Sequence, residues 1–173
     1  MFESITVLSR QIRALEDEID RLAKDAYPQT QLLTVVPGVG NLSALAFVLT
    51  LGNPQRFSDS RMVGPFLGLA PGRRQSGDRE QPTSITKIGD QFMRVLLVQC
   101  ANHILRRDAP DTDLKRHGRK LAKSGSMISK RIAKVAVARK LAVLLHALLT
   151  TAEVYEPLRN THARHRRQPL ISA

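Results

Sequence analysis

Ile5, Leu8, Ile12, Leu15, Ile19 and Leu22 recur at alternating intervals of three and four residues. That period gathers all six onto one stripe of an α-helix, whereas a strand would scatter them over both faces. Helical spacing returns in residues 90–107, through Phe92, Leu96, Leu97, Cys100 and Ile104, and in the long apolar run 127–152. No convincing run alternates apolar and polar residues as a half-buried strand would. The expected fold class is therefore mainly α. A helix over residues 1–28 precedes a helical domain over 30–155, and the basic tail 156–173 is expected to be disordered.

The first stripe is a heptad seam with Ile at one position and Leu at the other, the combination that favours parallel two-stranded coiled coils. Three heptads are short for an independent coiled coil, so an amphipathic helix packed on its own domain satisfies the pattern equally well. Pro28 closes the segment. Residues 32–52 then read as an apolar run, a Pro-Gly-Val-Gly turn and a second apolar helix starting near Asn41. Gly38 and Gly40 permit positive φ and close approach of backbone to a ligand. Amides of such a turn, at the start of a helix, can hold a phosphate. The arrangement resembles the helix-hairpin-helix motif, which grips the DNA backbone without reading sequence; a plain αα-turn inside a core is the other reading.

Beyond Gly52-Asn53-Pro54 a further helix is expected, with Ser58 as N-cap and Met62, Phe66, Leu67 and Leu69 as apolar contacts. Gly64-Pro65 makes it short or kinked. Residues 70–90 are polar, rich in Gly and Pro and mixed in charge, which predicts a loop or short hairpin. A connection of that length in a compact domain tends to be functional or disordered. Pro110 separates the next two helices, Asp111 and Asp113 suit a helix start, and Ser124-Gly125-Ser126 marks the turn into the last helix.

The formal net charge is +12, from 27 Lys and Arg against 15 Asp and Glu. Such an excess implies a polyanionic partner, and nucleic acid is the usual one. Cations concentrate at Lys115, Arg116, Arg119, Lys120 and Lys123, again at Lys130, Arg131, Lys134, Arg139 and Lys140, and in the tail. Aromatic residues amount to 4% with no Trp, which disfavours a base-stacking single-strand binder. No apolar run approaches the ~20 residues that span a bilayer, and Glu3 and Arg10 interrupt any signal peptide. The single cysteine, Cys100, excludes an internal disulfide, suits a reducing cytoplasm and sits where a small core residue belongs.

Metal-dependent phosphoryl transfer needs several carboxylates converging on Mg²⁺. Six of the 15 acidic residues lie on the N-terminal helix among Arg and Lys partners, and the five histidines show no ligand spacing; His146 reads as a core residue. No metal site is predicted. The other route is a nucleophile, and Ser76 in Arg73-Arg74-Gln75-Ser76-Gly77-Asp78-Arg79 is the candidate. Guanidinium groups beside it would hold a scissile phosphate and stabilise its developing charge. Composition alone does not separate Ser76 from a solvated turn serine.

The order of motifs is more specific. The VPGVG turn, then F-x(8)-F-L-G-L-x-P from Phe57, Q-S-G at 75–77, I-T-K-x-G-D at 85–90 and M-R-x-L-L-x-Q-x-A from Met93 resemble one family. It is the insertion-sequence transposases that join a DEDD nuclease domain to a C-terminal serine-bearing domain, also called bridge-RNA-guided recombinases. The resemblance covers about residues 30–150 and, loosely, the heptad helix. It implies that Ser76 is a catalytic serine that attacks the DNA backbone and forms a covalent phosphoserine intermediate. Lys87, Gly89 and Arg94 would contact phosphate and shape the site. Mg²⁺ would be held by a DEDD domain preceding Met1 rather than by any cofactor site in this chain, so the chain alone is expected to be incomplete as an enzyme. DNA and a guide RNA would lie along basic surfaces. The nucleic-acid-binding candidates are Gly38, Gly40, Arg73, Arg74, Arg79, Lys87, Gly89, Arg94, Lys115, Arg119, Lys130, Arg131 and Lys134. A homo-oligomer through the heptad helix is expected, and no membrane partner. Two departures stand out: Gly77-Asp78 where the family has a glycine pair, and Thr83-Ser84 where a glycine commonly precedes Ile85. A non-catalytic helix-hairpin-helix module binding DNA or RNA is the alternative, and an interaction protein dimerised by its first helix is a third.

Overall fold

The computed structural model describes the backbone of residues 2–76 and 79–160, and the side chains of these apart from 2 and 73–83. Its described residues are mainly helical, in the order α1 (Phe2–Asp25), α2 (Gln31–Thr34), α3 (Asn41–Leu51), α4 (Val63–Phe66), β1 (Pro71–Ser76), β2 (Arg79–Ile85), α5 (Gln91–Ile104), α6 (Asp113–Leu121) and α7 (Met127–Thr151). Single 3-10 turns stand at Pro28–Thr30, Pro54–Arg56 and Ser60–Met62.

Helix α7 is the spine. At 1.5 Å per residue its 25 residues extend about 37 Å. Ala133, Val137, Ala138, Leu141, Ala142, Leu145 and Leu148 form its buried face, and the alanines let neighbouring helices approach closely. Helices α2, α4, α5 and α6 all pack on it. Phe47, Leu51, Val63, Leu67, Leu69, Met93 and Leu97 complete one continuous core with this face. Burying each such side chain contributes roughly 1.5–3 kcal/mol. Caps fix the starts. The Ser126 hydroxyl accepts from the Ser129 amide at 3.0 Å, Thr112 from Lys115 at 3.1 Å, and the Asp90 carboxylate from the Met93 amide.

His146 is a satisfied core residue, as its place on an apolar helix suggested. Its Nε2 lies 2.9 Å from the Pro54 carbonyl and its Nδ1 2.8 Å from Ser60 Oγ. A carbonyl only accepts, so Nε2 carries the proton and, in the neutral ring, the serine hydroxyl donates to Nδ1. Ser60 is thereby tied to α7. The cap of the following 3-10 turn is Asp59, accepting from the Arg61 amide at 2.9 Å, and not Ser58. Cys100 is also a core residue, and burial pushes its thiol pKa upward.

The terminal segments differ from one another. Helix α1 meets the body only near its end, where Ala23 is buried, Thr30 Oγ1 donates to the Ala23 carbonyl at 2.7 Å, and Asn41 donates to Asp20 at 2.8 Å. The heptad seam stands clear of the chain's own core, with Ile5, Leu8, Ile12 and Leu15 each more than half exposed. At the other end, residues 157–160 belong to the fold instead of to a disordered tail. The Asp113 amide donates to the Pro157 carbonyl at 2.8 Å, and the Asn160 amide to the Asp113 carboxylate at 2.7 Å. The rest of the expected tail, 161–173, lies outside the described residues.

The two faces of α1 should respond differently to the same charge. Ile12→Asp is expected to change the unfolding free energy of the monomeric chain by no more than about 0.5 kcal/mol. Ala23→Asp should lower it by several kcal/mol, because the carboxylate would be buried. Denaturant titration at low protein concentration measures both.

A serine-bearing hairpin and a cationic groove

The polar segment 70–90 folds into the short hairpin that was one of its two expected forms. Strands β1 and β2 pair antiparallel, with Arg73 opposite Pro82, Arg74 opposite Gln81, Gln75 opposite Glu80, and Ser76 opposite Arg79 at the far end. An irregularity in register falls between Pro71 and Arg73. Pro82 is accommodated because a two-stranded ribbon is all edge. The side chains of Arg73, Arg74, Ser76 and Arg79 lie outside the described residues, as do Gly77 and Asp78 altogether.

The base of the hairpin is fully described. The Thr86 amide donates to the Ala70 carbonyl at 2.9 Å and the Lys87 amide to the Gly68 carbonyl at 3.1 Å. Gly68 and Gly89 have φ of 68° and 93°, in the left-handed region. A Cβ on Gly68 would stand 2.0 Å from the Ile88 carbonyl oxygen, and one on Gly89 would stand 2.1 Å from that of Phe66. The segments 66–70 and 86–90 therefore cross backbone on backbone, which only glycine permits. Arg94, the fourth residue of α5, closes the crossing. Its Nη1 donates to the carbonyls of Gly89 at 3.0 Å, Ile88 at 3.2 Å and Leu67 at 3.3 Å. Aromatic packing links the crossing to α7: the rings of Phe66 and Phe57 meet edge-on at 5.3 Å, and Phe57 meets His146 at 5.5 Å. The Arg56 guanidinium lies over both phenyl rings.

The predicted cations separate into two groups. Arg119, Lys130, Arg131 and Lys134 are exposed on α6 and the first half of α7, and Lys87 is exposed at the hairpin base with a left-handed φ of 56°. Lys115 faces inward: it is only 3% exposed, and its ammonium donates to the carbonyls of Arg107 and Ala109. Its charge is spent on the turn between α5 and α6, so it is not a surface contact. Gly38, with φ 89°, presses on α5, where an added Cβ would stand 3.0 Å from Ile104. Gly40 caps α3 through its backbone and faces open space. The side chain of the first α3 residue, Asn41, already bonds a carboxylate, that of Asp20.

A groove of about 1180 Å³ runs along α7, floored by apolar residues such as Val135 and Leu144. Arg131 lines it with Arg61, Arg139 and Lys140, and the hairpin base reaches it through Pro71, Ser84 and Ile85. Arg61 was not among the predicted residues, since a lone arginine in a loop carries no pattern. On the groove wall, burial holds the His117 imidazole below its usual pKa, with Lys140 and Lys120 adding repulsion. Acidic groups take a different part. Asp111 pairs with Arg116 at 2.7 Å and Asp108 with Arg106 at 2.9 Å, and hydrogen bonds from those guanidiniums hold both carboxyls below the usual range. Among the described residues no three His, Cys, Asp or Glu come together as a metal site, and no helix is long and apolar enough to cross a membrane.

Residues 30–116, which hold the VPGVG turn, the crossing, the hairpin and α5, match the transposase IS116/IS110/IS902 family. The chain belongs to that family. It is 36% identical over 143 residues to the transposase for insertion sequence element IS1111A of Coxiella burnetii, covering 81% of this chain and 38% of that protein. With a probable family 20 transposase of Pseudomonas aeruginosa it shares 30% identity over 163 residues, 91% of this chain and 48% of the relative. The transposase for insertion sequence element IS1328 of Yersinia enterocolitica is 34% identical over 100 residues, 58% of this chain and 30% of its own length. This transposase-family chain thus spans less than half the length of these relatives.

The inward placement of Lys115 makes a prediction within the family domain. Lys115→Met leaves two carbonyls without their donor and is expected to lower stability by about 1–3 kcal/mol. Lys123→Met, on an exposed turn, should stay within about 0.5 kcal/mol of the parent. Thermal unfolding of the two variants side by side distinguishes the roles.

Proposed function

We propose that this chain is the DNA-handling, C-terminal half of an insertion-sequence transposase and supplies Ser76 as the nucleophile for strand cleavage. The observation that carries the reading is the hairpin: a ribbon ending at Ser76, rich in arginine, anchored by a glycine crossing inside the region that matches the family. In the proposed step Ser76 Oγ attacks a backbone phosphorus. An Oγ–P bond forms while the P–O bond to one strand end breaks, that strand leaves as a hydroxyl after taking a proton, and the serine proton passes to a base or solvent. Arg73, Arg74 and Arg79 would neutralise the phosphate in transit. Lys87, Arg119, Lys130, Arg131 and Lys134 would hold flanking DNA or a guide RNA by phosphate contacts that carry no sequence information. The VPGVG turn at Gly38 and Gly40 belongs to the same proposal as a helix-hairpin-helix contact.

Mg²⁺ does not fit the described residues of this chain, among which no three His, Cys, Asp or Glu come together. A DEDD nuclease domain, which this reading places in the remainder of a full-length protein, would bring it. Cleavage by this chain alone is not expected, and work on DNA in the cytoplasm is part of the same reading. The exposed seam of α1 supports a homo-oligomer paired along Ile5, Leu8, Ile12 and Leu15. Ile12→Asp should convert it to monomer in light scattering.

Two measurements test the central reading. Affinity for duplex DNA should fall about 10³–10⁵-fold between 50 and 200 mM salt if six to ten phosphates are contacted. With a DEDD domain supplied in trans, Ser76→Ala should keep that affinity and lose the covalent protein–DNA adduct. An adduct that survives the substitution removes Ser76 from the mechanism. Binding without adduct in the parent itself would leave a binding module.

A further inference from the structure

We propose that Arg94 is a positioning residue, whose guanidinium fixes the base of the β1–β2 ribbon and so sets where Ser76 is presented. The proposal rests on the serine reading for what is presented, and on the crossing alone for how it is held. Where the ribbon leaves the body, Ile85 packs against the core and the segments 66–70 and 86–90 cross. In this proposal the direction of the ribbon is set at that base. Two hydrogen bonds donated by the Thr86 and Lys87 amides join the two segments there. Leu67 and Leu69 already bury the first segment in the core, whereas residues 86–90 are exposed, and Arg94 ties that second segment to the first. It rises from α5 between Met93, which is fully buried, and a half-turn that leads to Leu97, also fully buried, so its origin is rigid. Its Nη1 takes one carbonyl from the first segment (Leu67) and two from the second (Ile88 and Gly89), tying both to the same point.

The same geometry gives Arg94 a structural task that does not depend on a phosphate. A guanidinium grips phosphate by presenting two parallel N–H donors as a fork. Nη1 is committed to the three carbonyls, so a phosphate could be met only through Nε and Nη2. The function assigned to Arg94 needs only a cationic donor at one point, which a lysine ammonium also provides, and which a methionine of similar length does not.

The test uses the full chain with spin labels on Ser76→Cys and Thr151→Cys; Cys100 is buried and Thr151 exposed. Pulsed electron resonance reads the spread of distances between the labels. The spread should at least double in Arg94→Met, and return close to the parent in Arg94→Lys, while the unfolding temperature of both variants stays near that of the parent. An unchanged spread in Arg94→Met overturns the proposal. So does an equal broadening in both variants with a fall in unfolding temperature, which would make Arg94 a support of the fold as a whole. Failure of the serine reading is separately visible: Ser76→Ala would still form the DNA adduct, whatever the label distances show.

Discussion

Helix α7 holds the structure together because one of its faces can be approached closely along most of its length. Alanines at 133, 138 and 142 alternate with Val137, Leu141 and Leu145, all of them buried. Against that face α2, α4, α5 and α6 lose apolar surface to a single partner, and much of the largest favourable term in folding is gathered along one rod. The serine hairpin depends on it at one remove. His146 anchors Ser60 and Pro54 to α7, Phe57 packs on His146, Phe66 on Phe57, and the Phe66 carbonyl lies against Gly89 at the crossing. Each contact in that series is short, directional or both, so the base of a polar ribbon is referred back to the most rigid element of the fold.

Charge is arranged on a different principle. The acids whose ion pairs are described sit in local partnerships with arginine, as in Glu18–Arg21, Asp108–Arg106 and Asp111–Arg116. Exposed pairs of this kind contribute little to stability. Their effect is to cancel charge locally, and a surplus of cations remains on α6 and α7 although Asp113 and Glu156 also line the groove. Arg61, Arg131, Arg139 and Lys140 converge on an apolar groove that also reaches the hairpin base. Cations and hairpin are thus neighbours, an arrangement suited to drawing in a polyanion and presenting it to one small polar element.

The sequence displayed the helices well, since their information is local. Period and caps together located α5, α6 and α7 within a few residues, and Gly64-Pro65 announced that α4 would be short. Features decided by distant partners were hidden. The hairpin segment has no apolar alternation, so periodicity has nothing to report there. Lys115 looked like its basic neighbours, and only the carbonyls at 107 and 109 turn it inward. Arg94 stood in the right motif, but its three carbonyl partners lie in two segments that the crossing brings together. For the same reason Gly68 and Gly89 read as members of separate motifs and not as two halves of one contact. Ser58 had the right chemistry for a cap, yet Asp59 took the position with Ser60 already engaged by His146.

The central claim is that a serine at the end of this hairpin becomes joined to DNA. The most direct measurement is tandem mass spectrometry of a full-length protein carrying this chain, digested after reaction with a DNA substrate under denaturing quench. The account predicts one nucleotide-bearing peptide, with the added phosphate ester assigned to Ser76. A nucleotide on any other residue, or cleaved DNA with no modified peptide, would contradict it.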